Sequence, residues 1–377
     1  MRGFECDKYK QARLAMFRRT PPPTGYAAGG ATAVQISCYA NGEYPMNTRK
    51  SRHLGFVRLI VFALLVAVAW YAFQPRRIDD GQPPWHAAVE QRTIEVAGMS
   101  REFLYYAPPG LARGAPIVFV LHGSMGSAAG MREATAFGFE RIAAGEGAIV
   151  VYPQGIEKHW NDCRGTADYA ANTRNIDDPA FFEAMIGWFA RELGADRSRV
   201  LVTGLSNGGH MAYRLGLERP DLVLAIAPMA AGLPVAATRD CRESGKAVAT
   251  AIFNGTEDPL NPFAGGLVSI LGNSSRGEVL SSQETARFWA RLAGHDGEPK
   301  IEDLPDRDPD DGTRVRIERW QAPGHAEIAH YMIEGGGHTL PSRGARPPLA
   351  TSVLTGRTSQ DIDAAHEAWA FFERQWP

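Results

Sequence analysis

The sequence lacks an excess of charge of either sign, and with it one class of partner. Its 40 lysines and arginines nearly balance 42 aspartates and glutamates, leaving a formal net charge of −2; no basic surplus draws the chain to nucleic acid. Its 4 cysteines come without a second close pair or clustered histidines at zinc-ligand spacing, so no metal and no cofactor is expected. The acidic stretch from Glu302 to Asp311 has no glycine-punctuated calcium-loop spacing and reads as a solvated loop. The apolar run from Leu59 to Phe73 is shorter than the roughly 20 residues a bilayer-spanning helix needs. From Thr93 onward there is no internal repeat and no low-complexity tract.

What is present is ordinary globular composition, with 44% hydrophobic and 22% charged residues in 377. That length suits one large domain with extensions. Residues 1–45, with Pro21-Pro22-Pro23 and Gly29-Gly30, carry neither helical nor strand periodicity and read as a disordered or over-long start. Arg49, Lys50, Arg52 and Arg58 then form a positive flank before the run Leu59 to Phe73, and Ala67-Val68-Ala69 offers a small-residue cleavage pattern. Residues 46–84 therefore read as a signal peptide or a membrane anchor with a short linker, and residues 85–377 as an exported domain, extracellular or periplasmic. Export leaves Cys163 and Cys241 in an oxidising setting, where they are expected to pair; two buried free thiols are the alternative.

Beyond Thr93 the pattern alternates. Thr93 to Val96 and Phe103 to Ala107 flank Gly98 like a hairpin. The short apolar runs Ile117–Leu121, Ala148–Tyr152, Val200–Thr203, Leu222–Ala227 and Ala249–Phe253 suit buried parallel strands. Phe181 to Leu193 and Gly208 to Leu217 have helical spacing, and Ser281 to Glu284 is a capping box that opens the Trp289 helix. Two later strands, Val315–Trp320 and Glu327–Ile333, and a closing helix, Asp361–Gln375, complete an α/β reading: a mostly parallel sheet with helices on both faces.

Gly204-Leu205-Ser206-Asn207-Gly208 sits where a strand gives way at once to a helix, the context of a nucleophile elbow. The turn lifts the serine oxygen clear of the sheet, and the flanking glycines avoid collisions that a Cβ would cause. The base and its orienting carboxylate follow in the chain order serine, acid, histidine. Asp258 and His338 each fall in a loop just after a strand, at the edge where open sheets bind ligands; the other histidines are misplaced in order or lack the glycine-rich strand end. An oxyanion hole needs the N–H of the residue after the nucleophile, Asn207, and one from the loop after an early strand, here Ser124 or Met125 of His122-Gly123-Ser124-Met125-Gly126. His122 reads as a brace for that loop.

These stretches together resemble the polyhydroxybutyrate depolymerase and feruloyl esterase (LpqC-like) family of α/β-hydrolases from about Arg92 to the C-terminus. The resemblance lies in Val118 to Ser124, His159-Trp-Asn-Asp-Cys163, Val202 to Gly209, Ala225 to Ala231, Asn254 to Pro259 and Gly335 to Thr339. It implies the α/β-hydrolase fold, an ester as substrate, and Ser206, Asp258 and His338 as the triad. It also puts the Trp160 region near the substrate cleft, with Gly123 and Leu340; core packing is the other reading of Trp160. Leu340 stands before Pro341 where family members often carry tryptophan, so a preference for aromatic acyl groups does not carry over. Hydroxyalkanoate polyesters or oligomers lead as substrate, with feruloylated or acetylated polysaccharide next. A serine peptidase and a non-catalytic binding protein on the same fold are the other readings.

Overall fold

The structure, a computed structural model, describes residues 48–73, 76–77, 88–270 and 272–376. The chain divides into two compact units, residues 1–60 and 61–377. In the first, residues 48–60 open helix α1 (Thr48–Phe73), which the second unit completes. The stretch has no proline, and its apolar side chains from Val57 to Tyr71, Leu64, Val68 and Trp70 among them, are exposed. Among the described residues no helix is long and apolar enough to cross a membrane. The reading of residues 1–45 falls outside the described residues, as does most of the linker after Phe73.

The strands of the main sheet are β1 (Glu90–Val96), β2 (Met99–Tyr106), β3 (Ile117–Leu121), β4 (Ile149–Pro153), β5 (Val200–Leu205), β6 (Ala225–Met229), β7 (Ala249–Gly255), β8 (Lys300–Asp303), β9 (Arg314–Trp320) and β10 (Ile328–Glu334). They lie in the order β8-β9-β10-β7-β6-β5-β3-β4-β2-β1. Pairing is parallel from β4 through β3, β5, β6 and β7 to β10, and antiparallel at both ends. Gly98, at φ +76°, turns the first hairpin in a conformation that costs a glycine nothing. The principal helices after α1 are α2 (Ala128–Ala134), α3 (Gly138–Glu146), α4 (Asp178–Glu192), α5 (Asn207–Glu218), α6 (Ser282–Leu292), α7 (Leu349–Thr355) and α8 (Ala364–Glu373).

Alternation along β3 explains the layering. Ile117, Phe119 and Leu121 pack with Phe182, Met211 and Trp289 from α4, α5 and α6, while Val118 and Val120 pack with Phe139, Trp369 and Phe372 from α3 and α8. Both faces of the strand are covered, so its sequence is continuously apolar. This is an α/β-hydrolase sheet. The parallel strands β3, β5, β7 and β10 all run toward one edge, and the loops that follow them meet there.

The hairpin strands begin at Glu90 and Met99, earlier than the sequence reading has them, and two further elements differ from it. The run Leu222–Ala227 begins too early: Leu222 donates to Arg219 O in the turn that leaves α5, and the ladder with β5 spans Ala225 to Met229. The strand runs on through Pro228 to Met229. The acidic loop is also shorter than expected, because Glu302 and Asp303 belong to β8. All four β8 residues are exposed, so no alternation marks the strand, and its charges suit an unpaired sheet edge.

Candidate active site

Ser206 links β5 to α5 with φ 56° and ψ −117°, a backbone conformation that side chains rarely adopt. Its N–H donates to Met229 O at 2.8 Å. The glycines are required by contact: a Cβ on Gly204 would lie 2.6 Å from the Gly208 carbonyl carbon, and one on Gly208 would lie 2.5 Å from Leu121 O. The first turn of α5 thus presses against the end of β3.

Asp258 follows β7 and His338 follows β10. His338 Nδ1 and Asp258 Oδ2 are 2.7 Å apart, with both side chains buried. The other carboxylate oxygen, Oδ1, accepts the N–H groups of Leu260 and Asn261, each at 2.8 Å, so the carboxylate cannot rotate freely. The glycines before His338 serve close approach. A Cβ on Gly337 would meet Thr355 O at 2.1 Å, and one on Gly255 would meet Gly336 O at 2.3 Å. The His338 N–H donates to Thr355 O at 2.6 Å, tying the histidine to the end of α7.

The loop after β3 reaches the nucleophile through Gly123, where a Cβ would stand 3.4 Å from that of Ser206. His122 is buried; its Nδ1 lies 2.8 Å from Gly123 O and its Nε2 accepts the Gly155 N–H at 3.0 Å. Burial holds its pKa down at about 4, so it braces the loop as a neutral ring. The Met125 N–H donates to Lys158 O at 3.0 Å. Asn207 supplies the first N–H of α5, a position without an intrahelical acceptor.

Ser206 and His338 both line one cavity of about 640 Å³, together with Gly123, Ser124, Leu205 and Leu340. Leu260 and Ile270 add to an apolar lining, and Ala345 to Thr355 forms a further wall. Trp160 is elsewhere. It is fully buried and packs on Phe182 and His122, so the expectation that it borders the substrate gives way to a core position. Cys163 and Cys241 are joined in a disulfide.

No family model matches the chain. Individual relatives do. The chain is 29% identical over 314 residues to the putative esterase NocK of Nocardia uniformis subsp. tsuyamanensis, a match covering 81% of this chain and 88% of that protein. The probable feruloyl esterase C of Aspergillus niger is 27% identical over 43% of this chain and 62% of its own length. The poly(3-hydroxyalkanoate) depolymerase C of Paucimonas lemoignei is 31% identical over 34% of this chain and 30% of its own length. In sequence the chain is similar to members of the polyhydroxybutyrate depolymerase and feruloyl esterase family. It is a carboxylic ester hydrolase.

This esterase carries a buried polar web behind Ser206 that sequence reading missed. The Asn207 carboxamide bonds to Trp160, Asp162 and Tyr169. Burial alone pushes the Asp162 carboxyl up, but the Arg164 guanidinium at 2.6 Å and nearby hydrogen bonds bring it to about 2. His210, also fully buried, is held at about 3 by desolvation first and by Arg164 next, and its Nδ1 faces Ser206 O at 2.9 Å. The stretch His159 to Cys163 stood out in the sequence, but only a contact partner identifies Asp162 as part of the site's support.

Proposed function

We propose that this esterase is an exported serine hydrolase in which Ser206 is the nucleophile, His338 the general base and Asp258 its orienting carboxylate. The observation that carries the reading is the opening of Ser206 and His338 onto one apolar cavity, with Asp258 fixed behind the imidazole at 2.7 Å. Ser206 Oγ attacks the ester carbonyl, and His338 takes its proton and delivers it to the departing alcohol. Negative charge on the carbonyl oxygen is met by the Asn207 and Ser124 N–H groups. Water, activated by the same histidine, then hydrolyses the acyl-enzyme.

Hydroxyalkanoate oligoesters or polyesters suit the site best. Part of the wall is aliphatic, from Leu205, Leu260, Ile270 and Leu340, and matches a short alkyl-substituted acyl unit. Export is supported by the disulfide, since such bonds persist in oxidising compartments. Stoichiometric labelling by a serine-directed fluorophosphonate, lost in Ser206→Ala, tests the nucleophile; undiminished labelling of that variant refutes it. A panel of hydroxybutyrate oligomers, methyl ferulate and acetylated xylan tests the substrate, and a preference for either of the last two overturns the polyester assignment.

A further inference from the structure

Asn207 and Ser124 belong to different segments, the start of α5 and the loop after β3. Two N–H groups from separate segments polarise one oxygen only if something fixes their spacing. Beyond the direct contacts of Gly208 and Gly123, hydrogen bonds from both segments converge on Trp160. Its backbone N–H donates to Asn207 Oδ1 at 2.8 Å, and the Asn207 Nδ2 returns a bond to Trp160 O at 3.1 Å, a reciprocal pair that reads the carboxamide in one orientation. Its indole Nε1–H donates to His122 O at 2.9 Å, on the peptide just before the Gly123–Ser124 unit. One fully buried residue therefore holds both arms.

The segment that bears Trp160 is itself anchored at each following position. The Asn161 N–H donates to Asp178 Oδ2 at 2.7 Å, and Asp178 is paired with Arg101 at 2.6 Å, both fully buried. Asp162 accepts from Arg164, from Tyr169 and, at 2.5 Å, from Asn207 Nδ2. Cys163 is tied to Cys241. So many anchors are more than a tryptophan needs to fill core volume, and each carries the position of Trp160 into the fixed body of the domain.

We propose that Trp160 is a positioning residue that sets the spacing of the oxyanion hole, with the Asn207 carboxamide as its link to α5 and the indole N–H as its link to the Ser124 loop. The proposal rests on Ser206 being the nucleophile. A displacement of about 1 Å in such a site costs on the order of 100-fold in rate. Trp160→Phe keeps an aromatic ring in the core and deletes the indole N–H. Asn207→Asp keeps the shape and the backbone N–H, but replaces the Nδ2 donor with an oxygen facing Asp162 and Trp160 O.

The experiment measures kcat and KM on a short nitrophenyl ester for both full-length variants, per active site titrated with fluorophosphonate, alongside binding of an alkylboronic acid as a tetrahedral mimic. The expected result is a roughly 10- to 100-fold fall in kcat with KM changed less than about threefold, and boronate affinity weakened by a similar factor. A purely structural role lowers Tm and the fraction of titratable sites while leaving kcat per site intact. That outcome in both variants overturns the proposal. If Trp160→Phe does not fold, Asn207→Asp decides. Undiminished labelling of Ser206→Ala refutes the nucleophile assignment itself and is read independently of kcat per site.

Discussion

Replacing Asp258 by asparagine is the sharpest test of how the proposed base is held. The two backbone donors on Oδ1, from Leu260 and Asn261 at 2.8 Å each, demand an oxygen at that position. The amide of an asparagine must then put its NH2 where Oδ2 now stands, 2.7 Å from His338 Nδ1. A donor there forces Nδ1 to accept and moves the ring proton to Nε2, so the imidazole cannot take the serine proton. The wrong tautomer in such a triad costs about 10⁴-fold in kcat, or about 5 kcal/mol of transition-state stabilisation. Initial rates on a nitrophenyl ester, normalised to protein folded by circular dichroism, give the number directly. Retention of more than about a tenth of kcat would refute the argument, because it requires the carboxamide to flip against both backbone bonds.

Three further outcomes follow from the same geometry. The Cys163–Cys241 bond closes a loop of 78 residues, so Cys163→Ala with Cys241→Ala lowers unfolding stability by about 4 kcal/mol; an unchanged urea midpoint contradicts this. His122 and His210 are held at about 4 and about 3 in the folded chain, below the unfolded value near 6.5, so the unfolded state binds more protons in between. The stability they confer is complete above about pH 6.5 and falls by roughly 2 to 3 kcal/mol per pH unit for the pair as pH drops toward 4. Asp162, held at about 2, adds a further loss below about pH 4 in the same direction. A melting temperature that is flat from pH 7.5 to 4.5 rules this out. Gly337→Ala drives a Cβ into Thr355 O and displaces His338; kcat falls roughly 100-fold, and parent-like kinetics would sink that reading.

The sheet was legible because buried parallel strands leave continuous apolar runs, as at Ile117–Leu121 and Ala249–Phe253, and because the elbow glycines are fixed by close contact. The edge strand Lys300–Asp303 was not legible: exposed on both faces, it has no periodic signal. In the candidate site, Ser206, Asp258 and His338 could be picked out from chain order and strand ends. The partner of the Met125 N–H could not, since only the fold brings Lys158 O to 3.0 Å from it. Trp160 shows the same limit. A tryptophan in a motif looks alike to sequence reading whether it faces ligand or braces backbone, and only its partners decide.

The division between what can be read and what cannot also says where specificity resides. The proposed triad and its braces stand on β3, β5, β7 and β10 and on the first turn of α5, elements fixed by burial on both sides. The cavity walls come from Ser124 to Ala134, from Leu260 and Ile270, and from Leu340 to Thr355, where connections vary at little cost to the sheet. Helix α7 buries none of its residues, so its sequence is free to change with the acyl group as long as Thr355 O still receives the His338 N–H. Exchanges at Leu340, Ala345 or Thr351 should therefore redistribute kcat/KM among acyl chains while leaving fluorophosphonate labelling stoichiometric. A loss of labelling on such an exchange would mean that the wall and the proposed catalytic residues are one structural unit, and that the acyl preference cannot be altered without dismantling the base.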